Sequence, residues 1–580
     1  MANYIDAEYL GSRKSEPTGI RVWVQNYDTR KVEVVDYPIE DYLYFYIDAI
    51  DKTKIEKNFT SQRGTQVQRV EADDYKGLKS GDAAKFYHGM GVNTYESDIE
   101  PLHKVLLDNY GRDNQKAADW NLALYDIETD VQTEDSFMEM RENAHRAINA
   151  ISVWYAKPNK FYNFTVVPPV LQPDWNYDVV EKRGNFEIVY FDNEAEMLET
   201  FFEVTKQYET IALGAWNGDF FDTKYIFDRC KMLWGEKGAA ERMGRFNKVR
   251  KTKIMLGEKE EILVRPVGMI WYDCLEAYKK NGPELESFAL NAVVEEELGT
   301  NKLEFDGSFE TLYHGSRKDR AKFEELTPKS KRLALQKISK EIGMSIINDL
   351  NLYSEAAAHI NTNTSFEAHE QETRIQMEIT DRLEELLKDE KFKQELGENY
   401  VHFERFVVYK KLTDTYRLFV DYSNQDSQLL HDLEKKLDKF KTLMMLAQYN
   451  VSSFYDVFST LKQVEQGITN FAHLYNNKVV IDREYDKSKQ IYNKYIDPEM
   501  LRIRIDNDYR ITPDDSPETK RYKSLISQGK IPGAHVLLAN IGLISYDEEE
   551  TPPLAREFKK LKAELAEIDK LLAEFEDEED

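Results

Sequence analysis

Ala123-Leu124-Tyr125-Asp126-Ile127-Glu128-Thr129 runs an apolar stretch into an Asp, one apolar residue, a Glu and a Thr. In an extended strand successive side chains alternate faces, so Asp126 and Glu128 fall on one side and Ile127 on the other. Two carboxylates held close together repel, and a divalent cation relieves the repulsion. A solvated strand face satisfies the same Asp-x-Glu pattern. The rest of the chain has to decide between the two.

A chain of 580 residues exceeds one ordinary core and predicts three or four domains. Cys230 and Cys274 are its only cysteines, which argues against a disulfide framework or a cysteine-rich zinc site and for a reducing compartment. Met1 to Leu10 lacks a basic and then apolar leader, and no apolar run is long enough for a bilayer, so a soluble intracellular protein is expected. The net charge of −28 argues against a non-specific nucleic-acid coat but leaves room for an enzyme that grips DNA locally. Arg242, Arg245, Lys248, Arg250, Lys251 and Lys253 crowd one segment. They read as a solvated face or as phosphate contacts.

Residues 1 to about 115 read as a mixed N-terminal domain of short strands and turns, clearest at Ile20–Val24 and Tyr42–Ile47. From about 120 strands and helices alternate. Strand 121–127 is followed by strands at Ala150–Tyr155 and Glu187–Phe191, a helix over Asn193–Tyr208 and a buried strand at Thr210–Trp216. That order predicts an α/β domain. Residues 253–264 read as a hairpin around Gly257, and 315–410 as an insertion of helices. Leu554, Phe558, Leu561, Leu565, Ile568, Leu572 and Phe575 form an a/d heptad stripe ahead of an acidic end. Such a helix packs on its own domain or on a partner's helix.

Two further stretches bear on Asp126 and Glu128. Trp216-Asn217-Gly218-Asp219-Phe220-Phe221-Asp222 hands the buried strand over to a helix, the edge from which α/β sheets usually work. Tyr422-Ser423-Asn424-Gln425-Asp426 lies in a helical run over Phe419–Leu437, where four residues make about one turn and put Tyr422 and Asp426 on one face.

In this order the motifs resemble the 3′–5′ proofreading exonuclease of family B replicative DNA polymerases, especially those of large tailed phages. Tyr225–Leu233, Arg245–Lys253, Tyr272–Lys280 and Ser287–Leu290 carry the resemblance further, over about 115 to 480 with the insertion at 315–410 interrupting. It implies α/β and α+β parts: a ribonuclease-H-like exonuclease domain, a mixed N-terminal domain, the helical insertion and the C-terminal heptad helix. It makes Asp126, Glu128, Asp222 and Asp426 ligands of two Mg²⁺ or Mn²⁺ ions, with Tyr422 orienting the attacking water and Lys302 near it. Hard oxygen ligands suit those ions, which favour in-line hydrolysis of a phosphodiester. Asn217 and Phe221, with Arg245, Lys248 and Arg250, are the expected DNA contacts. The hairpin resembles the one that parts a frayed primer end from its template.

The family's polymerisation motifs, Asp-x-x-Ser-Leu-Tyr-Pro, Lys-x-x-x-Asn-Ser-x-Tyr-Gly and Asp-Thr-Asp, do not occur, although Ile531–Val536 resembles the strand that enters the palm. The expected organisation is therefore an N-terminal domain over 1–115 and an exonuclease over 116–438. A helical return over 439–480, the start of a palm over 481–547, and the heptad helix and tail over 548–580 would follow. That reading makes the chain one part of a split polymerase acting on single-stranded 3′ ends and primer-template in the cytoplasm of an infected bacterium. A second polypeptide would carry palm, fingers and thumb and reach a sliding clamp. A free-standing exonuclease and a non-catalytic DNA- or partner-binding scaffold are the alternatives. The intact carboxylates and tyrosine speak against the scaffold, and the heptad helix against the free-standing enzyme.

Overall fold

The computed structural model describes residues 2–11, 16–26, 28–29, 31–111, 120–132, 142–256, 259–300, 307–360, 368–480, 482, 485–486 and 491–492. Lys302, the tip of the hairpin at Gly257, strand 534–538 and the heptad stripe lie outside the described residues. The chain divides into two compact units, one of residues 1–13, 18–38 and 105–466, the other of residues 14–17, 39–104 and 467–580.

The larger unit is built on a seven-stranded sheet. Its members, after β1 (Ala2–Gly11), β2 (Pro17–Asn26) and β3 (Val32–Pro38), are β4 (Leu122–Thr129), β5 (Ile148–Tyr155), β6 (Lys160–Val166), β7 (Glu181–Arg183) and β8 (Phe186–Phe191). Helix α1 (Glu194–Gln207), β9 (Ala212–Ala215), α2 (Asp222–Met243), the hairpin β10 (Val249–Leu256) and β11 (Lys259–Pro266), and β12 (Ile270–Asp273) follow. The sheet order is β7-β8-β6-β5-β4-β9-β12. β4 pairs antiparallel with β5 and parallel with β9, which pairs parallel with β12. Gly214 faces Tyr272 across that last pair, and a Cβ there would lie 2.5 Å from the tyrosine ring. Glycine is what lets the ring lie across the strand.

Alternation along β4 decides what each face carries. Ala123, Tyr125 and Ile127 join the core formed with α1 and α2, including Leu198, Phe201, Tyr225 and Ile226. Leu122 and Leu124 join the opposite core with Leu429, Leu430 and Leu433 of one long helix. Asp126 and Glu128 continue the second set, so they point to the side that this helix covers.

Helices α3 (Cys274–Asn281), α4 (Leu290–Leu298) and α5 (Phe309–His314) lead to the insertion: α6 (Arg317–Leu326), α7 (Arg332–Asp349), α8 (Leu352–Ile360), α9 (Ala368–Lys388) and α10 (Glu390–Leu396). The long helix is α11, Tyr400–Leu437, whose 38 residues span about 57 Å. Its first part shares a core with the insertion through Phe403, Phe406 and Val407, against Ile346, Ile375, Ile379 and Leu383. Its later part lies on the sheet, with Tyr416, Phe419 and Val420 against Phe161, Ile188 and Tyr190. The helix therefore begins well before residue 419, because the insertion supplies an apolar surface for its first turns.

The N-terminal region does not group as one domain over 1–115. β1 belongs to the larger unit, where the Tyr4 hydroxyl donates to Ala447 O at 2.8 Å and Asp6 accepts from Phe454 N–H at 3.3 Å. Helix α12 (Lys439–Tyr449) is in that unit too, so the return segment divides near residue 466. In the smaller unit Lys478–Val479, Ile55–Ser61, Gln66–Glu71, Tyr44–Asp48 and Thr94–Tyr95 form one sheet in that order. There buried Glu96 accepts from Val480 N–H (2.9 Å) and pairs with His473 Nε2 at 2.8 Å, tying the returning strand down.

Candidate active site

Asp126, Glu128 and Asp426 each offer a carboxylate oxygen within 4.8 Å of the others. The first two come from β4, opposite Ser152 and Ala150 of β5, and the third from α11. Asp426 is buried, whereas Asp126 and Glu128 are half-buried at the rim.

Asp222 opens α2 after the turn 216–221. Asn217 takes the left-handed conformation (φ 60°), and its carbonyl accepts from the amides of Phe220 and Phe221 at 3.1 Å. The Tyr125 hydroxyl bonds that of Thr223 at 2.9 Å, fixing the helix start against β4. Burial pushes the Asp222 carboxyl up to about 7, with Asp273 and Asp426 adding to the rise and the Ile127 amide of β4 opposing it. Asp222 therefore shares the field of the carboxylate cluster.

Tyr422 lies one turn before Asp426, with Phe309 edge-on to its ring at 5.2 Å between centroids. Phe221 packs against Tyr225 at 5.4 Å and is half-buried beside the turn.

Other residues at this edge carry no motif of their own. Asp219 accepts both terminal nitrogens of Arg265 on β11, and its amide donates to Asp273 Oδ2 at 3.3 Å. Arg265 lies 4.6 Å from the Tyr455 ring centre. Burial and then Asp219 raise the Asp273 carboxyl to about 7, while its Oδ1 accepts from Leu275 N–H at 2.8 Å. Asp219 therefore anchors the turn that delivers Asp222. At the end of β4, Asp130 pairs with His314 Nε2 at 2.6 Å. Asp219 and Asp273 fall in stretches that carry the family resemblance, whereas Arg265, Asp130 and His314 have no such signal in the sequence.

The basic cluster is engaged within its own unit. Arg245 donates to Glu209 at 3.3 Å and to Thr210 O at 3.0 Å. Lys248 and Arg250 both pair with Glu8 of β1, whose side chain is 5% exposed. These contacts give the three residues partners within the fold, while the Lys248 and Arg250 side chains stay 42% and 36% exposed. Arg250→Gln together with Lys248→Gln is expected to lower stability, because Glu8 is left buried without its cations. The salt slope of DNA binding should stay unchanged. A slope flattened by about one unit per residue would instead show phosphate contact.

Residues 90–293 match the family model for the DNA polymerase family B exonuclease domain. The likeness is to that exonuclease domain, over about a third of the chain. The DNA-directed DNA polymerase of Escherichia phage RB69 is 27% identical over 290 residues, covering 46% of this chain and 29% of the relative. That of Enterobacteria phage T4 is 34% identical over 128 residues, covering 21% of this chain and 14% of the relative. The chain thus spans less than a third of either relative's length. The matched residues include Asp126, Glu128, Asp222, Asn217 and Phe221; Asp426 joins the cluster from α11, beyond them, and Tyr422 lies one turn before it. Exonuclease domains of this family use divalent metals, and the carboxylate cluster is a fitting place for them. No helix among the described residues is long and apolar enough to cross a membrane.

Proposed function

We propose that this chain is a metal-dependent 3′–5′ exonuclease that trims single-stranded DNA ends during phage replication in the infected host. The observation that carries this is the convergence of Asp126, Glu128 and Asp426 within 4.8 Å beside a family B exonuclease match. The order β6-β5-β4-β9-β12, with three antiparallel strands followed by two parallel ones, supports a ribonuclease-H-like reading of the domain.

Asp126, Glu128, Asp222 and Asp426 offer only carboxylate oxygens, which suit Mg²⁺ or Mn²⁺, and would hold two such ions. When bound, the ions supply charge stabilisation and an activated water for phosphodiester cleavage. Tyr422 presents a hydroxyl that can orient that water, and Lys302 is assigned a place near it by sequence. Asn217 and Phe221, on the turn before Asp222, are proposed to meet the terminal nucleotides, and the β10–β11 hairpin to help separate them from a template.

Chelation is expected to abolish degradation of 3′-single-stranded DNA, and Mg²⁺ or Mn²⁺ to restore it. Full activity in chelator would reject the assignment. A pH dependence accompanies this. An Asp whose folded pKa rises to about 7 contributes stability below its unfolded value that is lost as pH climbs toward 7. Ion binding must displace that proton. The melting-temperature gain on adding Mn²⁺ is therefore expected to be larger at pH 8 than at pH 6, and equal gains would remove Asp222 from the ligand set.

Nucleotide addition, the activity of the whole relatives, is a separate proposal. Primer extension assayed with and without a second polypeptide bearing the family's polymerisation motifs distinguishes part of a polymerase from a free-standing exonuclease.

A further inference from the structure

The insertion and the tyrosine-bearing helix are joined by buried polar contacts in a regular pattern. Thr373 of α9 donates to Asp421 of α11, and Thr380 donates to Asp414 at 2.6 Å. Each pair of positions lies seven residues apart, running up one helix and down the other. The two helices therefore meet antiparallel, with a Thr–Asp contact at each heptad step. Ile375, Ile379, Leu383, Phe403 and Val407 pack between and beyond these contacts, while Lys410 donates to Gln376 Oε1 at 2.9 Å and Lys411 to Glu384 at 2.6 Å across the same pair. Buried polar contacts in a helix seam fix register, because any slip leaves them without partners.

Each contact is backed by a cation. Lys410 donates to Asp414 at 2.7 Å. Arg183, from the edge strand β7 of the sheet, donates from Nε to Asp421 Oδ1 at 2.9 Å and from Nη2 to Oδ2 at 2.7 Å. It also donates to Thr373 Oγ1 and pairs with Glu181 at 3.0 Å. Asp421 and Thr373 are 2% and 3% exposed, so this group is cut off from water. Burial by itself would lower the Arg183 pKa, and Asp421 with Glu181 more than reverses that.

Asp421 immediately precedes Tyr422. One turn of α11 here is held on its other sides as well, because Asn163 of β6 donates to Ser423 Oγ (3.2 Å) and Asn424 Oδ1 (2.8 Å). At about 100° per residue, positions 421, 423 and 424 surround the helix and leave 422 and 426 together on the remaining face. The rotation of α11 about its own axis is what aims the Tyr422 hydroxyl.

We propose that Arg183, Thr373 and Asp421 form a buried polar clamp that sets the rotation of α11 and thereby positions Tyr422, so that the helical insertion is a working part of the exonuclease site. The inference rests on the exonuclease reading of Tyr422. The three are positioning residues, acting through the tyrosine.

The test removes the clamp without leaving a buried charge. Arg183→Met, Thr373→Val and Asp421→Leu together replace it by apolar groups of similar size, a change that buried ion pairs often tolerate. The full chain carrying all three is expected to melt within about 3 °C of the parent. Its kcat on single-stranded DNA should fall about tenfold or more, while KM stays within about twofold. A folded triple variant with parental kcat overturns the proposal. In a Tyr422→Phe background the same three substitutions should cost less than about twofold more, because the group they aim is gone. A full multiplicative loss there overturns action through Tyr422. Hydrogen exchange of amides 420–426 should rise in the triple variant, and unchanged protection overturns the clamp without reference to activity. Failure of the exonuclease reading shows separately, as undiminished degradation by an Asp126→Ala, Glu128→Ala chain.

Discussion

Asp126→Ala combined with Glu128→Ala is expected to slow 3′–5′ degradation of single-stranded DNA by about two orders of magnitude or more, since each carboxylate contributes electrostatic stabilisation worth several kcal/mol in rate. The pair supplies two of the three carboxylates that converge within 4.8 Å, and both stand on one strand with a buried Ile127 behind them. Their removal takes away the repulsion between like charges held close together. A melting transition measured on the variant in the absence of divalent ions separates lost chemistry from lost structure. Its melting temperature should also respond less to Mn²⁺ than the parent's. A folded double variant that digests 3′-ends at the parental rate would eliminate the assignment of these residues.

The part of this site that lies on the sheet was legible in the sequence because strand alternation is a local rule. Asp126 and Glu128 follow Leu122 and Leu124 in parity, so the face that buries leucines inward also carries the carboxylates at the rim. The helix expected over Asn193–Tyr208 is equally local: it forms α1, whose start Asn193 caps by accepting from Glu196 N–H at 2.9 Å. β6 was passed over. Its inward Asn163 interrupts the apolar alternation, and only its partners Ser423 and Asn424, some 260 residues later, explain a polar residue there. The start of α11 was misplaced for a related reason, since its first turns owe their burial to insertion helices rather than to the sheet. Contacts such as Arg183 with Asp421 span 238 residues and have no local signature at all. The basic cluster shows the converse: like charges adjacent in sequence look free until Glu8 of a distant strand is seen to hold two of them.

Arg229→Met should lower stability by about 3–5 kcal/mol at neutral pH, as expected for one half of a buried ion pair. Arg229 on α2 donates from Nε to Glu194 Oε1 at 2.8 Å and from Nη1 to Ala144 O at 3.0 Å, and both charged side chains are nearly inaccessible. Glu194 Oε1 also accepts from Ile148 N–H at 2.8 Å, at the start of β5. Without the guanidinium the carboxylate is stranded among apolar residues, and the segment leading into β5 loses its anchor. The site feels this, because Ala150 of β5 is the register partner of Glu128. Denaturant unfolding followed by tryptophan fluorescence reads the loss, and the exonuclease rate should fall with it. Arg229→Met with Glu194→Gln should recover much of the stability, since the stranded charge is what costs most. A single-variant loss below about 1 kcal/mol would place the pair among ordinary solvent-screened surface contacts and detach it from the positioning of Glu128.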